Sequence, residues 1–137
     1  MSQRELTSVD RLLVEVDGML KTLARRGASA MRPSPAAGHS DGALSDRERK
    51  HSGGLMRVNH TGEVCAQALY QGQAMTAKSA GTRTEMQEAA QEEIDHLVWC
   101  EERSEELGTR PSVLNPLFYG ASLPMGAAAA FVGGSVS

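Results

Sequence analysis

The sequence predicts an all-α fold, most simply a helix bundle, and three observations carry that prediction. Apolar residues recur at steps of three and four along most of the chain. Helix-start and helix-stop residues punctuate those runs. No stretch alternates apolar and polar residues as a half-buried strand does, and no internal repeat is present.

The elements follow in order. Residues 5–26 read as an amphipathic helix, with Leu6, Val9, Leu12, Leu13, Val16, Met19, Leu20 and Leu23 on one side and Gly27 as its stop. Residues 27–44 are rich in Ala, Ser, Gly and Pro, with Pro33 and Pro35 close together, and read as a flexible linker. Ser45-Asp46-Arg47-Glu48 has the spacing of a capping box, so a short helix starts there and Gly53-Gly54 breaks or kinks it. Residues 55–79 form the next helical run. Thr82-Arg83-Thr84-Glu85 is a second capping box, opening a helix that Gly108 closes. Its inner face carries Met86, Ala89, Ala90, Glu93, His96, Leu97, Cys100 and Leu107, and its outer face Glu88, Glu92, Glu102, Arg103 and Glu106. Asn115-Pro116 reads as an N-cap followed by proline at the first helical position, before a small apolar segment over 116–132.

Composition excludes several functional classes. The chain has 137 residues and a net charge of −3, so no basic surface suggests nucleic acid. Two cysteines are too few for a disulfide framework. Charge is uneven: residues 1–57 carry ten Lys/Arg against seven Asp/Glu, residues 58–137 four against ten, and residues 111–137 none. The N-terminus has neither the apolar region of a secretory signal nor the acid-poor character of a transit peptide.

Chemistry concentrates on Glu93-Ile94-Asp95-His96. Three residues turn a helix by about 300°, so Glu93 and His96 lie about 60° apart on the apolar face. A charge there is expensive unless it is paired or binds a metal. Glu48-Arg49-Lys50-His51 repeats the spacing, but its cationic flanks mark a solvated helix end. Glu63 shares a stripe with Met56, Tyr70 and Ala77, each seven apart, and Gly62 beside it leaves room for another helix. A Glu on one helix and Glu-x-x-His on the next are half of a di-iron carboxylate site. On spacing alone, a buried ion pair or a solvated face explains these residues equally well. Asp95 reads as a solvated acid or as a carboxylate orienting a histidine of another helix. Tyr70 reads as a core tyrosine and His60 as a packing or hydrogen-bonding histidine. Cys65 and His60 lie about 140° apart on a helix, so zinc ligation with Cys100 and His96 does not converge, and both cysteines read as buried thiols.

The run Leu55-Met56-Arg57-Val58-Asn59-His60-Thr61-Gly62-Glu63-Val64-Cys65-Ala66-Gln67-Ala68-Leu69-Tyr70-Gln71-Gly72-Gln73 resembles the first ligand helix of the demethoxyubiquinone hydroxylases, the di-iron enzymes of ubiquinone biosynthesis. Gln91-Glu92-Glu93-Ile94-Asp95-His96-Leu97 resembles their second, and Arg110-Pro111-Ser112-Val113-Leu114-Asn115-Pro116-Leu117 the connection that follows. The resemblance implies a ferritin-like four-helix bundle, of which residues 45–137 supply the N-terminal part. It implies two iron ions, with Glu63 a terminal ligand, Glu93 a bridge and His96 a terminal ligand, and O₂ as co-substrate. It implies a monooxygenase that hydroxylates the ring of a demethoxyubiquinol, a polyprenyl quinol. Glu48 and His51 have no counterpart among the ligands.

Residues 97–137 contain neither the family's third glutamate nor its second Glu-x-x-His. Two copies about a two-fold axis would supply the full ligand number, so an oligomer is one reading. A ferritin-like iron-binding module without hydroxylase activity, or an inactive truncated helical fragment, are the others. The uncharged residues 111–137 attract a transmembrane reading, but Pro111, Pro116 and Pro124 argue against a simple span. Gly126, Ala130 and Gly134, four apart, permit close helix packing. The expectation is a segment that packs in the bundle and touches a membrane surface, in a bacterial protein peripheral to the cytoplasmic face, alongside other ubiquinone-biosynthesis proteins.

Overall fold

A computed structural model describes residues 7–24 and 29–133. Among them are four helices and no strand: α1 (Ser8–Ala24), α2 (Asp46–Thr76), α3 (Ala80–Glu106) and α4 (Asn115–Gly133). The all-α expectation holds. Leu6, Gly27, Gly134 and the side chain of Leu12 lie outside the described residues.

The long helix α2 is the axis of the fold. It packs against α3 along one side and α4 along another, whereas α3 and α4 scarcely meet each other. Ser45 opens α2 as expected: its hydroxyl accepts from Glu48 N, and the Glu48 carboxylate accepts from Ser45 N at 2.9 Å. Gly53-Gly54 does not break the helix, contrary to one of the expected outcomes; α2 runs unbroken for 31 residues. The physical reason is steric. A Cβ on Gly53 would stand 3.2 Å from Thr109 Cβ, so this glycine makes room for the connection between α3 and α4. Gly62, expected to admit a close helix, has nothing within 4 Å of an added Cβ among the described residues.

A second correction concerns the start of α3. The cap is Ser79, whose Oγ accepts from Thr82 N at 3.0 Å, and the helix begins at Ala80, two residues before the Thr82 box. The short link from Thr76 to Ala80 makes α2 and α3 an antiparallel hairpin. Gly108 closes α3 as expected. With φ +69° it accepts a left-handed turn, while Thr109 N donates to Ser104 O and Gly108 N to Glu105 O.

α4 runs through Pro124 without interruption. Its Asn115 does not act as the expected N-cap: the amide Nδ2 meets His60 Nδ1 at 3.1 Å, and Oδ1 accepts from Thr61 Oγ1 at 2.9 Å. Asn115 therefore ties α4 to α2. The two backbones then meet at a pair of glycines. A Cβ on Gly72 would run into Leu123 O, and one on Gly126 into Leu69 O. The core beside this crossing is Val64, Ala68, Leu97 and Tyr119, flanked by Met19, Leu23 and Leu123. Tyr119, not Tyr70, is its tyrosine; Tyr70 is half-buried. The Tyr119 hydroxyl donates to Gln71 Oε1, and burial pushes its pKa up to about 12. Cys100 is a buried thiol as expected, but Cys65 is only half-buried.

Candidate metal centre

α2 and α3 bring together the three residues singled out from spacing. Glu63 comes from α2; Glu93 and His96, one turn apart, come from α3. One ligand atom from each lies within 4.8 Å of the others, and among the described residues no other group of three such side chains converges. His96 Nδ1 is 2.9 Å from Glu93 Oε2 and 3.7 Å from Glu63 Oε2. Both carboxylates are mostly covered, at 21% and 14% exposure for Glu63 and Glu93, while His96 is 40% exposed.

Beside Glu93 and half-buried, the Glu63 carboxyl does not ionise at ordinary cost. Burial is the largest effect on Glu63, and the neighbouring Glu93 adds to it; together they raise the Glu63 pKa to about 7, against a smaller opposing pull from His96. A cation among the three side chains would remove that penalty. Two carboxylates and an imidazole are a donor set suited to iron, manganese or zinc, so the residues present fit a metal ion.

The other candidates fall elsewhere. Glu48 and His51 are exposed at the start of α2, with Glu48 spent on its cap. His60 is buried against Asn115, and Cys100 accepts from Asn59 Nδ2 at 3.1 Å. Asp95 is the clearest correction. It is not a solvated acid: it is 3% exposed and accepts from Met31 N at 2.7 Å and from Arg32 Nε at 2.8 Å. Arg32, its backbone neighbour and other contacts hold its carboxyl below the usual range, with the Arg32 hydrogen bond the largest cause. Arg103, expected on a solvated face, is partly buried and paired with Asp41 and Glu106.

Beside the cluster is a cavity of about 1090 Å³, whose lining includes Glu63, His96, Met56, Asn59 and Trp99. Residues 33–37, His39 and Asp41 line it too, a part of the chain that sequence reasoning left out of the site. No periodicity marks those residues, and only the folded chain brings them to α3.

Comparison with known proteins gives the family. Residues 50–137 match the family described as ubiquinone biosynthesis protein COQ7. The chain is 57% identical over 134 residues to the 3-demethoxyubiquinol 3-hydroxylase of Chromohalobacter salexigens, covering 98% of this chain and 63% of that protein. It is 55% identical over 136 residues to the protein of the same name from Pseudomonas aeruginosa, covering 99% and 63%. A third 3-demethoxyubiquinol 3-hydroxylase, from a Marinomonas species, is 57% identical over 132 residues, covering 96% and 63%. The chain thus spans 63% of the length of these curated relatives. No solved structure matches. Four helices and no strand among the described residues, a carboxylate–histidine cluster on adjacent helices and identity above half along nearly all of the chain lead to one conclusion: the chain belongs to the COQ7 family of ubiquinone biosynthesis proteins.

Proposed function

We propose that residues 45–137 supply the N-terminal half of a di-iron centre, and that the whole protein hydroxylates the ring of a demethoxyubiquinol. The observation that carries this reading is the meeting of Glu63 with Glu93 and His96, ligand atoms within 4.8 Å of one another, across two helices. Glu63, Glu93 and His96 are the residues that would hold the iron from this half of the site. When bound, iron would supply the activation of O₂, and O₂ is the source of the oxygen atom placed on the ring.

The chain's own residues do the remaining work. Burial and the neighbouring Glu93 raise the Glu63 pKa more than His96 lowers it, so above that raised pKa a divalent ion beside Glu63 is favoured over a proton. The hairpin of α2 and α3 fixes the spacing before any metal arrives, because both helices are anchored through Val64, Ala68 and Leu97. The cavity next to Glu63 and His96 gives a polyprenyl quinol ring a place to lie.

Membrane contact belongs to the same reading. α4 is long and apolar enough to cross a membrane by length and composition, and only 17% of its most apolar window is buried. Leu117, Met125, Phe131 and Val132 are exposed on it. We read this as an interfacial surface at the cytoplasmic membrane, where a substrate with a polyprenyl tail resides.

Two measurements test the proposal. Anaerobic ferrous iron should bind the chain, and product analysis with a demethoxyubiquinol should show the hydroxylated quinol for the whole protein. Iron binding with no product would leave an iron-binding module; no iron binding would overturn the ligand assignment.

A further inference from the structure

Residues 29–44 form no long helix, yet they are fastened to α3 at two places. At the first, buried Asp95 accepts from Met31 N at 2.7 Å and Arg32 Nε at 2.8 Å. The Arg32 guanidinium lies 5.7 Å from the centre of the Trp99 ring, and Trp99 Nε1 donates to Arg32 O at 3.3 Å. At the second, Arg103 reaches Asp41 with both terminal nitrogens, at 2.5 and 2.8 Å. Between them the chain turns, with Ala37 N donating to Ser34 O, His39 N to Ala36 O, and Gly38 at φ +83°. Seen along the chain, this is a strap with a latch at each end, and the cavity beside Glu63 and His96 lies between strap and helices.

We propose that residues 31–41 form one wall of the pocket for a flat, oxygenated, uncharged six-membered ring, with Arg32, Asp95, Asp41 and Arg103 as the positioning residues that hold this wall. The identity of the ring rests on the quinol reading above; the strap and its latches do not.

The chemistry of the lining selects that class. Glu63, Glu102 and Glu106 face one cation, Arg103, which is already spent on Asp41 and Glu106. An anionic ligand such as a phosphate is disfavoured there. Trp99, Met56, Pro33 and Pro35 offer flat or apolar surface. Asn59 gives its Nδ2 to Cys100 Sγ, leaving its carbonyl oxygen to accept from a ring hydroxyl. Trp99 links latch to cluster: its ring centre is 5.4 Å from that of His96, at 44°. Strap displacement should therefore reach the face of His96.

Trp99 is the single tryptophan of the chain, so its fluorescence reads the wall directly. The experiment uses the full chain, with Co²⁺ as the metal probe and tail-less 2-methoxy-5-methyl-1,4-benzoquinol as the ring probe. The ring should quench Trp99 saturably. Arg32→Gln combined with Asp41→Asn should weaken ring binding at least tenfold and raise quenching by acrylamide, with helical content and Co²⁺ stoichiometry unchanged. The second latch has its own control. Asp41→Arg alone should loosen the wall, and Asp41→Arg with Arg103→Asp should restore it. Undiminished ring affinity and unchanged acrylamide quenching in the double variant would overturn the proposal. So would a charge swap no better than Asp41→Arg alone, or a wild-type chain that takes no ring at all. Failure of the metal reading is separately visible: ring binding that depends on the latches, in a chain that holds no Co²⁺, supports the strap and removes the di-iron assignment.

Discussion

The two sides of α2 are built to opposite ends. Against α4 it is tight: Gly72 and Gly126 let the backbones touch, and Asn115 fastens the far end through His60 and Thr61. Against α3 it is close at Val64, Ala68 and Leu97, then opens onto two crowded carboxylates, a histidine and a cavity of about 1090 Å³. The first side supplies stability. The second spends some of it, since a carboxyl whose pKa is raised by burial, as at Glu63, opposes folding once it ionises. Substitutions on the two sides should therefore separate metal binding from stability.

The largest expected effect is on metal. Glu93→Ala removes the carboxylate closest to His96, and Co²⁺ or Fe²⁺ affinity should fall by at least about a hundredfold, by analogy with the tenfold to hundredfold losses seen even for groups that only support ligands. Titration of the metal-loaded chain with a chelator measures it. Glu48→Ala, in the other Glu-x-x-His, should leave affinity unchanged; equal losses would erase the distinction between the two motifs.

Next comes stability on the opposite side. Gly72→Ala places a methyl into Leu123 O and 2.8 Å from Ala127 N, contacts made by backbone that cannot swing aside. The loss should reach about 3 kcal/mol, the upper part of the range for overpacking. Chemical denaturation of the metal-free chain would show it. A neutral result would mean that α4 is not seated on α2 as described.

The third effect reverses sign. The folded state holds a proton on Glu63 more tightly than the unfolded state does, so stability of the metal-free chain falls as pH rises from about 4.5 to about 7 and stays lower above that. Glu63→Gln abolishes this dependence. It should stabilise the metal-free chain at pH 8 by about 1 kcal/mol, the scale of one pKa unit, and make little difference at pH 4. A destabilising result at pH 8 would show that the Glu63 carboxylate is not penalised by its surroundings.

How much of this was legible beforehand depends on the range of the interaction. The all-α class, the Ser45 cap and the Gly108 stop are local and were legible from periodicity and a few residue types. Glu63, Glu93 and His96 were legible as a set through the long motif around Glu63; spacing alone left them level with a buried ion pair. Gly53 was misread because its neighbour, Thr109, is more than fifty residues away. Asn115 has the residue type of a cap but spends its amide on His60. Asp95 and Arg32 were missed for the same reason: a partner 63 positions away leaves no local pattern, and a stretch rich in Pro, Ala and Gly reads as a linker whether or not its one arginine is anchored.

The smallest effect concerns the first Glu-x-x-His, which repeats the spacing of the second and does different work. Ser45 Oγ donates to Glu48 Oε2 at 2.6 Å, Ser45 N donates to the same oxygen at 2.9 Å, and Glu48 N closes the box on Ser45 Oγ. Those bonds hold the Glu48 carboxyl below its usual range, with the Ser45 hydroxyl the largest cause. A carboxyl lowered by folding stabilises the fold above its ordinary pKa, and that contribution fades as pH falls through the folded value. Ser45→Ala should cost about 1 kcal/mol at pH 7, the usual worth of such a cap, and less at pH 3, where Glu48 takes up a proton. Metal affinity should not move in either condition, because this end of α2 contributes no atom to the cluster. Thermal unfolding at the two pH values, run beside a metal titration of the same variant, checks both halves. A variant that lost stability equally at pH 3 and pH 7 would show that the serine acts without its glutamate. One that lost metal would show that the two motifs are coupled through α2, and the contrast between them would fail.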